Sequence, residues 1–392
     1  MTIIPKGELE QRINRLRSEL TGFDAEWKTA VLMDRINCYY LTGTMQNGVL
    51  VIKRDGDAVF YVRRSCQRAI EESNFPDVRC FKSFRELEIE SGGILHLDTE
   101  KIPMAHFSRF SKYHSFDEIR SLDFPVAKAR AVKSELELSF MKQAGEIHRS
   151  VLEEYVPSIL EVGMSEFELG TEILSEMMRR GSQGLTRTGG YGSELFLGLV
   201  CFGESALYHN TFDGPGGVRG ISTAVPLMGS SEVKLERNMP VFVDVACGIQ
   251  GYYTDKTSIY SIGELTDEAC RYHEICVQLQ QRGADMLRPG AVPSEIYREH
   301  TAGVDAEFLK EYNGFGLGKV TFLGHGIGLH VDEYPVIAEK FDDPLEENMV
   351  IALEPKRGIP GLGMVGIENT FVVTPEGGKS LTGSHFDIIS KG

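Results

Sequence analysis

Two hydrophobic periods alternate along this chain. Leu9, Ile13, Leu16 and Leu20 recur at helical spacing and predict an opening amphipathic helix over residues 7–21. Runs rich in β-branched residues at 29–33, 48–53, 58–62 and 93–97 read as strands, with helical stretches at 65–73 and 105–113 among them. The pattern changes around Leu122-Asp123-Phe124-Pro125. Long helical periods follow at 134–155 and 165–180, then a strand at 196–202. A further helix over 266–287 meets the stop signal Arg288-Pro289-Gly290, and Ser294 is placed to cap another that runs to about 312. The pattern predicts an α+β chain of two domains, an α/β accessory domain over 1–127 and a second domain over 128–392.

The second domain holds two apolar runs of unusual content. Val241-Phe242-Val243-Asp244 and Tyr252-Tyr253-Thr254-Asp255 each carry an acid in mid-strand and flank Gly248-Ile249-Gln250-Gly251. A fold-back there is expected to set Asp244 opposite Asp255. Opposed residues on one face have Cβ atoms about 5 Å apart, where two carboxylates repel unless one is protonated or a cation lies between them. The arrangement recurs: Glu354 ends the run Val350-Ile351-Ala352-Leu353, Glu368 lies in Val365-Gly366-Ile367-Glu368, and Pro360-Gly361 between them suits a type II turn. Folding about Gly361 sets Glu354 opposite Glu368. With His325, flanked by Gly324 and Gly326, these five residues form a candidate dinuclear metal site.

Composition narrows the class. The 392 residues, 42% hydrophobic and 25% charged, suit a soluble protein of two domains. A net charge of −16 opposes nucleic-acid binding, which needs clustered Lys and Arg. No apolar run reaches the roughly 20 residues of a membrane span, and the opening segment lacks the apolar core of a secretory signal. Seven scattered cysteines without a C-x-x-C pair suggest reduced thiols in a cytoplasmic protein. Cys247 alternates away from Asp244 and reads as core. Carboxylates with one imidazole suit manganese first, with cobalt, iron or zinc as alternatives.

At these residues the chain resembles the creatinase/aminopeptidase family with the pita-bread fold, whose members include methionine aminopeptidase, Xaa-Pro aminopeptidase and prolidase. The five residues match the family's Asp, Asp, His, Glu, Glu in order. Ile36-Asn37-Cys38-Tyr39-Tyr40-Leu41-Thr42-Gly43 is similar to the smaller creatinase-type domain that precedes the catalytic one, and Val132-Lys133-Ser134 to the entry of the latter. The resemblance implies two divalent ions: Asp244 would chelate one, Asp255 and Glu368 would bridge both, and His325 and Glu354 would complete the other. Two cations would acidify a hydroxide-forming water for attack on the scissile amide, with Glu354 as general base. His209, in Leu207-Tyr208-His209-Asn210, matches the family's substrate-side histidine. A homodimer is implied as well.

Three positions depart from the family pattern. Its second histidine, seven residues after the first, is Asp332 here, with His330 two residues earlier. In an extended segment the two would lie roughly 7 Å apart on one face. The arginine usual two residues before the last ligand is Gly366, and the D-x-T-R motif reads Asp255-Lys256-Thr257-Ser258. His330 and Asp332 are therefore candidate substrate-side residues. The expected activity is an Xaa-Pro aminopeptidase or dipeptidase, with a hydrolase of small cyclic amides as the alternative and a non-catalytic interaction module behind both.

Overall fold

The computed structural model describes residues 2–190 and 192–392. The chain divides into two compact units, Met1–Arg130 and Ala131–Gly392. In the first, α1 (Lys6–Phe23) buries Leu9, Ile13, Leu16 and Leu20, the stripe its spacing predicts. The unit continues through β1 (Thr29–Leu32), α2 (Arg35–Thr42), β2 (Gly48–Lys53), β3 (Ala58–Val62), α3 (Cys66–Glu72), β4 (Val78–Cys80), β5 (Ile94–Leu97), α4 (Met104–Phe110), β6 (Glu118–Ser121) and α5 (Asp123–Ala131). The Asp34 carboxylate caps α2 by accepting from the N–H groups of Ile36 and Asn37, both at 2.9 Å. The six strands form one mixed sheet in the order β4-β3-β2-β1-β5-β6. Val31, Val49, Val51 and Tyr61 pack on one face of it against Phe81, Phe84 and Phe110.

One expectation fails here. Cys66 and Cys80 are joined in a disulfide. Their spacing matches no motif. Parallel pairing of β3 with β4 sets Cys80 beside Val62, and Cys66 follows four residues later at the start of α3. The other five cysteines are free thiols, four of them buried.

The second unit opens with α6 (Glu135–Ser150), capped by a reciprocal pair in which Ser134 and Glu137 each bind the other's backbone N–H. Pro157 has no N–H to give, and the turn before it, Val151–Tyr155, widens so that Val156 N–H reaches the Val151 carbonyl. A short α7 (Val156–Ile159) and the amphipathic α8 (Glu166–Arg179) follow. Then come β7 (Gly198–Phe202), β8 (Val241–Ile249), β9 (Tyr252–Ile262), α9 (Asp267–Met286), α10 (Pro293–His300), α11 (Ala306–Leu309), β10 (Phe322–Gly326), β11 (Glu333–Ala338), β12 (Val350–Leu353), β13 (Lys356–Ile359), β14 (Gly363–Gly366), β15 (Asn369–Thr374), β16 (Gly377–Ser380) and β17 (Ile389–Lys391). The helix expected over 294–312 stops at His300. Val292 is its cap, the Ser294 hydroxyl donates to Asp342 instead (2.6 Å), and Asp305 starts a separate turn after Gly303, which has φ 79°.

Two sheets carry the unit, in the orders β17-β9-β8-β7 and β11-β10-β12-β15-β16, with the β13–β14 hairpin beside them. Each turns one face to helices. Val241, Val243, Val245 and Cys247 of β8 pack with Leu169 and Ile173 of α8. Ile351 and Leu353 of β12 and Phe371 and Val373 of β15 pack with Ala284 of α9 and Ile296 of α10. Strand alternation then sends Asp244, and the residues beside Ile351 and Phe371, to the opposite faces.

Candidate metal centre

The acids reach one place because two hairpins meet. The first differs in register from the expectation. Asp244 faces Thr257, and Asp255 faces Ala246. Gln250 and Gly251 make a two-residue turn with φ values of 51° and 89°, and this tight form shifts the pairing by two residues. An even shift keeps both acids on one face, as diagonal rather than opposed neighbours. The second hairpin folds about Gly361 as expected. Leu353 pairs with Asn369 and Lys356 with Gly366, so Glu354 and Glu368 lie side by side in the same register. Its turn has Pro360 then Gly361 at φ 74°, closed by Leu362 N–H on the Ile359 carbonyl at 3.1 Å.

A bridge joins the hairpins. Thr257 and Glu368 exchange backbone hydrogen bonds (3.2 and 3.4 Å), and the Thr257 hydroxyl donates to Glu368 Oε2 at 2.9 Å. Next to it, the Thr370 hydroxyl accepts from Asp255 N–H (2.8 Å) and donates to the Asp255 carbonyl (2.9 Å). His325 enters from β10, paired with Ala352. Its Nδ1 lies 3.1 Å from the Gly326 carbonyl, which leaves Nε2 aimed at the carboxylates, 3.3 Å from Glu354 Oε1 and 4.0 Å from Glu368 Oε1.

These residues form two triads. Donor atoms of Asp255, His325 and Glu368 lie within 4.8 Å of one another, and so do those of Asp244, Glu354 and Glu368. The first triad fits a metal ion. Glu368 Oε1 is buried without a hydrogen-bond partner among the described residues, and Nε2 of His325 faces it. An imidazole and two carboxylates at this spacing suit an ion that binds oxygen at about 2.0–2.6 Å. The second triad does not fit an ion as it stands, because a lysine fills it. Lys356 Nζ donates to Asp244 Oδ2 at 2.8 Å, Glu354 Oε2 at 2.7 Å and Glu368 Oε2 at 2.9 Å, and the residue is fully buried.

The electrostatics follow from crowding. Burial raises the Asp244 carboxyl to about 6, although Lys356 opposes the rise. Burial, with Glu368 and Asp244 nearby, pushes Asp255 well above the usual carboxylate range. Burial works against the charged form of His325, yet Glu354, Glu368 and Asp255 together hold it up to about 10. For Lys356 burial is likewise outweighed by Asp244, Glu354 and Glu368, and its ammonium stays charged. The cluster favours positive charge on every partner it has.

The other expected site residues belong to neither triad, although Asp332 is near enough to His325 to feel its charge. His209 is exposed on the loop after a 3-10 turn, its ring so close to Gly318 that a Cβ there would fall 1.6 Å from its Cε1. It lines a cavity of about 1050 Å³ with Tyr208, Phe315 and Leu362. The 328–332 segment bends rather than extends, with Gly328 N–H on the His330 carbonyl at 3.0 Å. His330 N–H donates to Glu333 Oε1 (2.8 Å), and Asp332 Oδ1 accepts from Gly189 N–H (2.6 Å). Asp332 therefore fastens the loop around residue 189. Lys356 was missed by sequence reasoning. Its signals were present: it lies two residues beyond Glu354, on the same strand face, and opposite the Gly366 that had read only as a lost arginine.

A hydrolytic metal centre built on two acid-bearing hairpins is the class that fold and site define. Residues 139–375 match the model of metallopeptidase family M24, and residues 12–132 match the creatinase/prolidase N-terminal domain. The chain belongs to metallopeptidase family M24 and is a metal-dependent hydrolase, with a pita-bread unit that follows a creatinase-type domain in sequence. It is 26% identical over 357 residues to a protein of Pyrococcus horikoshii named Xaa-Pro dipeptidase, covering 90% of this chain and 92% of that one. The solved prolidase of the same organism superposes with a TM-score of 0.76 at 23% identity, over 97% of this chain and 100% of that one. An X-Pro aminopeptidase from Thermotoga maritima gives a TM-score of 0.74 at 24% identity, over 96% and 99%. These likenesses under 25% identity speak for the fold.

Proposed function

We propose that the chain is an Xaa-Pro peptidase, of the dipeptidase or the aminopeptidase type, acting through a manganese-class divalent ion. The observation that carries this is the convergence of Asp255, His325 and Glu368, with Glu354 Oε1 3.3 Å from the same imidazole. Support for the substrate class comes from the names of the two Pyrococcus relatives, both Xaa-Pro dipeptidases. When bound, the ion acidifies water and polarises the amide carbonyl. Asp255, His325 and Glu368 would hold it. Glu354 takes the proton of the attacking water at Oε1, the oxygen that faces His325 rather than Lys356. His209 meets the substrate from the cavity side, and Thr257 and Thr370 fix the angles of Glu368 and Asp255.

A second reading, hydrolysis of a small cyclic amide, draws on the changed surroundings of the centre: Lys356 among its carboxylates, and Asp332 where the family has a histidine. One screen separates the readings. The metal-loaded protein is offered Xaa-Pro dipeptides, longer Xaa-Pro peptides and small cyclic amides, and products are followed directly. Release of free proline or of an N-terminal residue is the expected result; turnover of the cyclic amides alone would remove the peptidase reading. A homodimer and a cytoplasmic setting belong to the same proposal, and the Cys66–Cys80 disulfide counts against that setting.

A further inference from the structure

We infer that the Lys356 ammonium takes the place of one of the two metal ions, so that the centre carries a single divalent ion, at Asp255, His325 and Glu368, with Glu354 beside it. This rests on the metal-centre half of the proposed function and is independent of its substrate.

Geometry carries the argument. Three carboxylate oxygens surround Lys356 Nζ at 2.7–2.9 Å, the range of strong charge-assisted hydrogen bonds. An ion bound to those same oxygens at about 2.0–2.6 Å would sit almost on the nitrogen. The ammonium has three protons and uses each on a different acid, so it caps one oxygen of Asp244, Glu354 and Glu368 alike. Glu368 Oε2 is also held by the Thr257 hydroxyl. Of the three oxygens left over, Glu368 Oε1 and Glu354 Oε1 both point to His325 Nε2. One set of donors is therefore closed by the lysine and one set stays open.

The lysine has no easy way out. Its main chain is fixed in the β13–β14 hairpin opposite Gly366, and its carbonyl accepts from Asn313 N–H at 2.8 Å. Its stem crosses the place where a side chain at 366 would be: a Cβ there would lie 3.0 Å from Lys356 Cγ and 2.5 Å from the Pro355 carbonyl oxygen. Gly366, at φ 140° and with the Pro355 carbonyl oxygen and Lys356 Cα 2.5 and 2.6 Å from where a Cβ would be, lets the two strands of the hairpin approach this closely. The Nζ also lies 5.7 Å from the centre of the Phe242 ring, which closes the remaining side. Charge agrees. Four carboxylates with Lys356 and one divalent ion come to minus one, whereas a second ion beside the lysine would add like-charge repulsion at contact distance. Asp244 then serves as a counter-ion to Lys356 rather than as a ligand.

The test is a count of bound manganese. Full-length protein is stripped of metal, dialysed against excess Mn²⁺ and assayed for metal per chain, with electron paramagnetic resonance to detect a spin-coupled pair. The expected result is one ion per chain with the spectrum of an isolated Mn²⁺. Two ions, a coupled pair or no ion would overturn the inference. Lys356→Ala, its fold checked by circular dichroism, should gain a second ion and the coupled spectrum; a folded variant that stays at one ion would also overturn it. If that variant does not fold, the count on the unaltered chain decides alone. A count of one without Xaa-Pro cleavage leaves this inference standing and removes the substrate reading. A count of two with cleavage does the reverse.

Discussion

Glu368 divides its two oxygens between different partners, and much of the chemistry depends on that division. Oε2 is committed to Lys356 and Thr257, while Oε1 faces His325. Removing the threonine hydroxyl should loosen the carboxylate without removing it. Thr257→Val is expected to weaken Mn²⁺ binding about 10–100-fold by titration calorimetry, the usual loss when an outer partner of a ligand is removed; unchanged affinity would mean that Lys356 alone orients Glu368. Glu354→Gln should lower kcat about 10²–10⁴-fold with the melting temperature nearly kept, since the proton acceptor goes and the shape stays. Gly366→Ala combines a left-handed backbone with a Cβ 2.5 Å from a carbonyl oxygen and should lower the melting temperature by several degrees. At this scale the acids were legible in the sequence, because each stands in an apolar run beside a glycine turn. Lys356 was not, because its meaning depends on the partner across the hairpin.

Elements explain why register mattered less than parity. The first hairpin pairs two residues away from the expected position, yet Asp244 and Asp255 still share a face because strand alternation has period two. Turn conformation at Gln250 was the unreadable part, since a non-glycine residue at φ 51° leaves little trace in composition. The overlong helix expected at 294–312 failed for a similar reason: Gly303 at φ 79° and the Asp305 cap broke a continuous apolar period. Packing between elements also sets a pH response. His148 on α6 is buried with Nδ1 3.1 Å from the Thr254 hydroxyl on β9. Burial, then the charge of Lys256, hold it down to about 3. An unfolded histidine titrates near 6.5, so below that pH the unfolded chain gains a proton that the folded chain refuses. The stability it contributes is complete above about pH 6.5 and is lost as pH falls toward 3. Melting temperature should therefore drop on acidification from pH 7 to 5, and less steeply in His148→Leu; equal slopes would remove His148 from the account.

The whole molecule joins a creatinase-type unit to the catalytic one, and the class was legible from order and spacing along the chain. The disulfide was not, because parallel pairing rather than sequence spacing brings Cys66 to Cys80. Among the described residues no helix is long and apolar enough to cross a membrane. Light scattering should give about twice the 43.6 kDa of one chain, and a single-chain mass would contradict the dimer. The most direct test of the central claim is a titration of metal-free protein with Mn²⁺ while release of proline from an Xaa-Pro dipeptide is followed. Activity should rise linearly and level off at one equivalent per chain. Activity that keeps rising to a second equivalent, or that never appears, would contradict the account.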